Sequence, residues 1–323
     1  MSMKRGLLVA LVACGAQFAH ASFELVMVAD RGTKSVHRFD GTTGAYLGAF
    51  GKGYVQNPLA LEINTATNTA YVLDAVDGGT GTSGSAARLW AFNYNTGEYL
   101  ASAKTPFAYI YPFLARNSVD GHLYVGNDNS LTDAYNSTTL ARVPSVSRNL
   151  TSYTGLRGGG AFDSSGNLWI ADGFSLRRVA VANVNTTFAF SSVLCASGAP
   201  VNQVAISGNR LLCVGAISYS AIQSLSGLAP TANSPTVQTD SSYNSINGAG
   251  FGHGDTAYVT GVASGGGGKI SRILFSERLK LQDFGTGILV EPRSMAVVVA
   301  PEPGTMIAIG TGLAVLARRR KKS

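Results

Sequence analysis

A short motif recurs along the chain about every 45 residues, and this repeat restricts the possible folds more than any other feature of the sequence. Each copy has a turn of small or polar residues, followed by a short apolar strand that ends in a polar residue or glycine. One apolar position is equivalent in all copies, at intervals of 44 to 53 residues. It is occupied by Val28, Val72, Val125, Ile170, Val214 and Val259.

Further strands are predicted around each motif strand. In the later copies a partner strand precedes it across a tight turn, as residues 59–64 precede residues 69–74. The turns contain residue types that tolerate positive φ, such as Asp120-Gly121 and Gly208-Asn209. A third strand follows, and in the first two copies a glycine turn leads into a fourth. Several antiparallel strands in each unit of about 45 residues are typical of a β-propeller blade.

The two ends of the repeat array complement each other. The first copy, at Phe23, lacks a preceding partner strand, whereas Ser294–Ala300 at the far end has no strand to follow it. Pairing these two strands would close a ring and remove two exposed sheet edges. The sequence therefore predicts an all-β fold, a six-bladed β-propeller closed by pairing of its N- and C-terminal strands. A β-sandwich or a β-helix is the alternative.

The distribution of charge argues against nucleic-acid binding. The formal net charge is +7, and 25 residues are lysine or arginine. Seven of them lie in the terminal segments, at Lys4 and Arg5 and in residues 318–322. The remaining basic residues equal the 18 acidic residues in number. The body of the chain is therefore neutral and is not expected to bind DNA or RNA.

The N-terminal segment has the three-part pattern of a secretory signal peptide. Lys4 and Arg5 form the positive part, residues 6–18 the apolar part, and Ala19 and Ala21 the small residues of the cleavage site. Cleavage after Ala21 would define residues 1–21 as the signal peptide and leave residues 22–300 as the propeller. The alternative is a lipidated N-terminus at Cys14, because residues 11–14 resemble a bacterial lipobox.

Residues 301–323 form a tail with three parts in a fixed order. Pro301, Glu302, Pro303 and Gly304 come first, and an uncharged apolar stretch at residues 305–317 follows. The basic cluster closes the chain with Arg318, Arg319, Arg320, Lys321 and Lys322. The apolar stretch predicts a short transmembrane helix of about 20 Å. The basic cluster is expected to stay on the cytoplasmic side, which places the propeller outside the inner membrane.

This tail closely resembles the PEP-CTERM sorting domain of Gram-negative bacteria that make extracellular polysaccharide. The resemblance implies export across the inner membrane and a membrane-tethered precursor. It also implies processing by exosortase, a membrane protease-transpeptidase, and a final location at the cell surface or in the extracellular matrix. A permanent tail anchor without processing is the alternative.

The repeats also show a family resemblance. Residues 36–40 (VHRFD) and 47–51 (LGAFG) resemble an NHL-type repeat, and residues 167–181 do so more loosely. Together the repeats are similar to the six-bladed NHL and gluconolactonase-like propellers. That resemblance implies a second possible function, a metal-dependent hydrolase or lactonase acting at the central channel.

Strand order predicts a candidate ligand face. In an antiparallel blade the start of the inner strand and the end of the second strand lie at the same end. The residues expected around this mouth of the channel are Asn57, Tyr111, Arg157, Asn202, Asn247 and Glu291. Second strands end there at Asp30, Asp74, Asp128 and Asp172, whose carboxylates we expect to accept hydrogen bonds from the turns that follow. One carboxylate, one cation and several amides suit a neutral polar ligand such as a glycan better than Ca²⁺.

No motif predicts a cofactor or a metal. Residues 79–84 match the glycine spacing of dinucleotide-binding loops but lead into a strand, so no helix N-terminus would hold a phosphate. Residues 265–269 resemble a phosphate loop without the hydroxyl residue that binds Mg²⁺. The four histidines lack metal-ligand spacing. Cys195 and Cys213 are predicted on different blades, and the sequence leaves open whether they form a disulfide.

The sequence therefore predicts an exported, non-catalytic binding or structural module, associated with extracellular polysaccharide or another surface protein. Its other expected partners are exosortase and, transiently, the inner membrane. The metal-dependent hydrolase or lactonase is the alternative function. A structural matrix protein without any ligand is the third.

Overall fold

A computed structural model describes the chain over eleven stretches of residues. These are residues 23–75, 87–105, 113–126, 131–144, 148–149, 159–172, 175–179, 193–194, 201–215, 218–222 and 236–299. The signal cleavage residues Ala19 and Ala21 and the whole tail from Pro301 lie outside them.

The described residues form 24 β-strands. The first seven are β1 (Glu24–Asp30), β2 (Ser35–Asp40), β3 (Tyr46–Phe50), β4 (Pro58–Asn64), β5 (Thr69–Ala75), β6 (Ala87–Asn93) and β7 (Tyr99–Lys104). The next eight are β8 (Phe113–Arg116), β9 (His122–Gly126), β10 (Leu131–Asn136), β11 (Arg148–Asn149), β12 (Gly160–Phe162), β13 (Leu168–Asp172), β14 (Ser175–Val179) and β15 (Val193–Leu194). The last nine are β16 (Gln203–Ser207), β17 (Arg210–Gly215), β18 (Ser218–Ile222), β19 (Thr236–Thr239), β20 (Tyr243–Phe251), β21 (Thr256–Ala263), β22 (Gly268–Leu274), β23 (Leu279–Phe284) and β24 (Pro292–Val299).

The strands pair into six antiparallel four-stranded sheets, each continuous in the chain except the first. Sheet 1 has the order β24-β1-β2-β3, and sheets 2 to 6 hold β4–β7, β8–β11, β12–β15, β16–β19 and β20–β23 in turn. The first strand of each sheet contacts the first strand of the next, from β24 through β4, β8, β12, β16 and β20 back to β24. These six inner strands form a closed ring, and the fold is an all-β propeller.

Strand β24 pairs antiparallel with β1, as the sequence predicts. The register runs from Glu24 opposite Val299 to Ala29 opposite Ser294, and a bulge follows before Asp30. The C-terminal strand therefore supplies the inner strand of a sheet whose other three strands come from the N-terminus. This pairing gives β1 a strand on each side and gives β24 its ladder partner, so an edge of each strand that would otherwise be open is covered.

The sequence predicts six blades, whereas five are detected. The sheets are unequal in extent. Strands β11 and β15 are two residues long, and β12 is three residues long. Sheets 3 and 4 are thus the least developed within the described residues, and the six-bladed count is not confirmed although six sheets are present.

The core lies between neighbouring sheets, and this explains why the second strands are apolar throughout. All seven residues of β1 are buried, and so are all seven of β5. Successive side chains of β1 point to opposite faces. Met27 packs with residues of sheet 2 in one cluster, whereas Val26 and Val28 pack with residues of sheet 6 in another. A strand that is covered on both faces needs apolar residues at every position.

Glycine permits the close approach of inner strands β20 and β24. A Cβ atom at Gly248 would lie 2.9 Å from the backbone nitrogen of Met295, and one at Gly250 would lie 2.6 Å from Cγ2 of Val297. Any side chain at these positions would push the two strands apart. The glycines at residues 248 and 250 therefore have a packing role in the ring.

The sequence leaves open whether Cys213 forms a disulfide, and it predicts a helix in the tail. Cys213 is buried in β17 and is disulfide-bonded, which settles its state but not the identity of its partner. Within the described ranges no helix is long and apolar enough to cross a membrane. The helix predicted at residues 305–317 lies outside those ranges.

A buried carboxylate fastens sheet 1 to sheet 6 beside the closing strands. Glu24 is 2% exposed, and its carboxylate accepts hydrogen bonds from the Tyr258 hydroxyl and from the backbone N–H of His253. Tyr258 belongs to β21, and its hydroxyl also lies 2.9 Å from the carbonyl oxygen of Gly41. Burial and the carboxylate together raise the pKa of Tyr258, so the phenol stays protonated and remains a donor.

We expect Tyr258→Phe to lower the free energy of unfolding by about 1–3 kcal/mol, because it leaves a buried carboxylate oxygen without its donor. A double-mutant cycle with Glu24→Gln in urea should give a coupling free energy of about 1 kcal/mol or more. Tyr99→Phe removes a hydroxyl from an exposed side chain and should change stability by less than about 0.5 kcal/mol. A coupling near zero between residues 24 and 258 would show that this contact does not fasten the ring.

Candidate functional site

The propeller has two distinct ends. At the entry face the inner strands begin and the second strands end, since Pro58 lies opposite Asp74 and Pro292 opposite Asp30. At the tail face the inner strands end, since Val299 lies opposite Glu24. Four of the candidate ligand residues belong to the entry face. Asn57, Asn202 and Glu291 each directly precede an inner strand, and Asn247 lies within the inner strand β20.

Asp30 and Asp74 hold the segments that lead into the inner strands of their own sheets. Asp30 accepts hydrogen bonds from the N–H groups of Val290 (2.7 Å) and Glu291 (3.1 Å), just before β24. Asp74 accepts them from Gln56 (3.1 Å) and Asn57 (2.6 Å), just before β4. Each carboxylate therefore fixes the backbone from which an inner strand starts.

The sequence predicts that these aspartates cap the turns that follow them. Asp30 does so, through the N–H of Thr33 at 3.1 Å. Asp74 also accepts a hydrogen bond from Nε1 of Trp90, at 3.2 Å. Residues 76–86, which follow its strand, lie outside the described residues. Asp128 lies outside the described residues, and only the backbone of Asp172, the last residue of β13, lies within them.

The entry-face amides connect neighbouring sheets. Nδ2 of Asn202 donates to the carbonyl oxygen of Ile246 at 2.8 Å and to Oδ1 of Asn247 at 3.2 Å. Nδ2 of Asn247 donates to the carbonyl oxygen of Pro292 at 2.8 Å. These bonds join sheets 5, 6 and 1 in sequence. Asn57 is 8% exposed, and its Oδ1 has no hydrogen-bond partner among the described residues.

Glu291 is neutralised by two arginines. Its Oε1 lies 3.3 Å from Nη1 of Arg31 and also accepts a hydrogen bond from Nη2 of Arg293. All three side chains are about one-third exposed, so they form a mixed-charge patch beside the mouth. Of the six predicted ligand residues, the structure brings Asn202 and Asn247 into direct contact. Tyr111 and Arg157 lie outside the described residues.

Gln203 crosses the channel, which sequence reasoning did not foresee. Its Nε2 donates to the carbonyl oxygen of Met295 at 2.9 Å, and its Oε1 accepts from the N–H of Met295 and from Ser294, both at 3.2 Å. Oγ of Ser294 accepts in turn from the N–H of Leu61 at 3.1 Å. A chain of hydrogen bonds thus links inner strands β16, β24 and β4. Its only sequence signal is a polar side chain at the start of an otherwise apolar inner strand.

Cavities lie on both sides of this crossing. The one toward the entry face has a volume of about 20 Å³, enough for about one water molecule. The one toward the tail face has a volume of about 550 Å³ and is lined by all six inner strands. Gln203 borders both. The larger space is therefore reached from the face opposite the predicted ligand residues.

Glu62 and Arg116 are the charged groups that line the tail-side cavity among the described residues. The Glu62 carboxylate accepts hydrogen bonds from the backbone N–H of Ile63 at 2.8 Å and from that of Arg116. Burial raises the pKa of Glu62 to about 7, despite these bonds and the positive charge of Arg116. Nε of Arg116 has no hydrogen-bond partner among the described residues. Their sequence signal is a charge within the inner-strand motifs LALEIN and FLARN.

The described residues contain no group of three His, Cys, Asp or Glu side chains that could hold a metal ion. The carboxylates of Asp30 and Asp74 accept hydrogen bonds from backbone N–H groups, and that of Glu291 pairs with arginines. The arrangement offers hydrogen-bond donors and acceptors to a ligand.

Solved structures place this fold among β-propellers. A chain from a nidogen/laminin complex matches 85% of this chain over 98% of its own length, with 11% identity and a TM-score of 0.64. The β-propeller domain of Myceliophteria thermophila Cps50 (Swd1) matches 86% of this chain over 90% of its own length, with 10% identity and a TM-score of 0.53. At these identities the likeness concerns the fold alone. No curated protein matches the chain.

Residues 299–321 match the family model of the PEP-CTERM protein-sorting motif. The motif implies an exported protein that is processed by exosortase. It also implies a membrane-anchored precursor in Gram-negative bacteria. The chain is thus a β-propeller body that carries a sorting motif at its C-terminal end.

We expect Asp74→Ala to destabilise the propeller by about 2–4 kcal/mol, because it leaves the N–H groups of Gln56 and Asn57 and the indole of Trp90 unpaired. Asp74→Asn keeps one acceptor oxygen and should lose less. Glu98→Ala, an exposed acid of the same sheet, serves as the control and should change stability by less than about 0.5 kcal/mol. Equal stability of the alanine variant and the wild-type chain in urea would contradict the role of Asp74 in fixing the segment before β4.

Glu62 should make the stability of the propeller depend on pH. Its pKa is raised from 4.5 to about 7 in the folded chain, so the folded state holds the proton more tightly than the unfolded state does. Its contribution is present below pH 4.5 and is lost as the pH rises through about 7. In the wild-type chain this loss should lower the free energy of unfolding by about 1–2 kcal/mol, after allowance for the partial exposure of Glu62. Glu62→Gln should remove the loss. Parallel pH profiles of the melting temperatures of the two chains would refute the assignment.

Proposed function

We propose that the protein is a non-catalytic binding or structural module of the cell surface or extracellular matrix, associated with extracellular polysaccharide. The observation that carries this proposal is that the described carboxylates of the entry face already have hydrogen-bonding or ionic partners within the protein. Asp30 and Asp74 are each saturated by backbone N–H groups, and Glu291 is paired with two arginines.

This arrangement favours binding over metal-assisted hydrolysis. A Ca²⁺ site needs six to eight oxygen ligands, several of them carboxylates free to converge on one point. Carboxylates that already accept two or more backbone hydrogen bonds are oriented away from such a point. The partly exposed patch of Arg31, Glu291 and Arg293 instead suits the hydroxyl groups of a neutral glycan.

The six-bladed count and the NHL-like subtype belong to the same proposal. The closed ring of six inner strands supports treating each four-stranded sheet as one blade, including the small sheets 3 and 4. The strand-end aspartates of sheets 1 and 2 make equivalent contacts, which supports a common blade design there. The sorting motif supports delivery to the surface, where polysaccharide would be the neighbouring polymer.

The proposal is tested by co-sedimentation of the purified protein with extracellular polysaccharide from cells that carry exosortase. We expect the wild-type chain to sediment with the polymer and Arg31→Ala with Glu291→Gln to weaken binding about tenfold, which is the loss of roughly one charged hydrogen bond. Glu277→Gln makes the same change in an exposed acid at the tail face and should have no effect.

Three results would contradict the proposal. Absence of binding by the wild-type chain would contradict the association with polysaccharide and favour a structural matrix protein without any ligand. Unchanged binding by the entry-face variant would place the ligand elsewhere. Hydrolysis of a lactone that depends on added divalent cation would favour the enzyme.

A further inference from the structure

We propose that the tail face of the propeller lies against the lipid headgroups of the inner membrane while the precursor is tethered, with apolar side chains around that face entering the interface. The inference rests on the membrane-anchored precursor that the sorting motif implies, and it is independent of the proposed function. It commits to one occupant, the lipid surface.

The exit point of the tail fixes which face is near the membrane. Strand β24 runs from the entry face to the tail face and ends at Val299, opposite Glu24. Five residues, 300–304, separate Val299 from the apolar stretch at 305–317. Even a fully extended chain spans at most about 3.6 Å per residue, so this connection reaches roughly 18 Å.

The entry face is too far away to be an alternative contact. Strand β24 has eight residues, and at about 3.3 Å per residue it spans roughly 26 Å between the two faces. A connection of roughly 18 Å that starts at the tail face cannot bring the entry face to the same membrane without bending back along the whole propeller. The length of the connection therefore selects the tail face.

The side chains around the tail face have the chemistry of an interfacial surface. Among the described residues the exposed large apolar side chains at this end are Phe23, Tyr46, Leu47, Leu100, Val119 and Leu279, each 42% exposed or more. Tyrosine is enriched at membrane–water interfaces, where its ring is apolar and its hydroxyl remains solvated. Burial of such side chains among the headgroups is favourable in proportion to the apolar area that it removes from water.

Their placement surrounds the tail. Tyr46 lies opposite Phe39 in sheet 1, and Leu279 lies opposite Leu274 in sheet 6, so both outer strands begin at the tail-face end. Leu100 follows Tyr99, which lies opposite Phe92 in sheet 2. Sheets 6, 1 and 2 are consecutive in the ring, and sheet 1 carries β24. All of the listed apolar positions except Val119 thus lie on the sheet from which the tail leaves and on its two neighbours, and Val119 lies between β8 and β9 of sheet 3.

This orientation has a consequence for the two cavities. The tail-side cavity of about 550 Å³ would face the membrane in the tethered precursor. The entry face would be exposed to the surroundings at the same stage. Release of the tail would then uncover the larger cavity, whereas the entry-face groups are accessible throughout.

The test uses the full precursor with Glu302→Ala, which is intended to prevent processing and keep the tail. An environment-insensitive fluorophore is attached to Leu100→Cys or Leu279→Cys at the tail face, or to Val290→Cys at the entry face, where the wild-type side chain is 52% exposed. The labelled proteins are reconstituted in phosphatidylethanolamine–phosphatidylglycerol vesicles that contain a headgroup-nitroxide lipid. Background labelling is measured on the parent chain, and each variant must melt like the parent.

We expect the nitroxide to quench the labels at residues 100 and 279 at least about threefold more strongly than the label at residue 290, because quenching falls steeply with distance from the headgroups. Equal quenching at the two faces would mean that the body tumbles on its tether and would overturn the proposal. Stronger quenching at residue 290, or none at any site, would overturn it as well. Loss of polysaccharide binding in the earlier experiment would leave this result unaffected.

Discussion

The pairing of β24 with β1 is the interaction on which the rest of the structure depends. It joins residues more than 260 positions apart, so the chain must bring its two ends together before the ring exists. The loop-closure entropy of that step is offset only when the inner strands also pack on each other, which makes closure and packing one cooperative event. Glu24 strengthens the same junction, because its buried carboxylate reaches from β1 to β21 and to the turn at His253. Strand β1 thus combines ladder hydrogen bonds, apolar packing and buried side-chain hydrogen bonds from Glu24.

The carboxylates near the channel show that a side chain repeated along one chain can have a structural role. Asp30 and Asp74 recur at one repeat spacing and lie at the mouth of a channel, a position that also suits metal ligation. Their oxygens are nevertheless directed at backbone N–H groups that β-strand pairing does not satisfy. Burial raises the pKa of Asp74, and the hydrogen bonds from Asn57, Gln56 and Trp90 oppose that rise. These contacts fix the backbone around the mouth of the channel.

The sequence predicts the strands and their antiparallel order because each depends on short-range signals, and the closing pair follows because the repeat leaves one strand at each end without a partner. Alternating or continuous apolar residues mark the strands, and the turns are marked by residues that adopt positive φ, as Gly44, Gly97 and Gly121 do. The site is less predictable. The position of Gln203 on an inner strand follows from the sequence, but its bonds to β24, two strands away in the ring, depend on the radius of the ring. The raised pKa of Glu62 likewise depends on how tightly β4 and β8 approach. Neither quantity is encoded in a local pattern.

The two faces divide the chemistry of the molecule. The polar contacts at the entry face come from residues near the starts of the inner strands. Hydrogen bonds join Asn202, Asn247 and Pro292 across three sheets and hold these groups in place. The tail face combines a wide cavity, which Glu62, Arg116 and Gln203 border, with exposed apolar side chains such as Tyr46, Leu100 and Leu279 around the exit of the chain. Because the tether is shorter than the propeller is deep, these faces cannot exchange roles while the tail is embedded. In the proposed orientation, the polar entry face would therefore be open to the surroundings, and the tail-side cavity would become accessible when the body leaves the membrane.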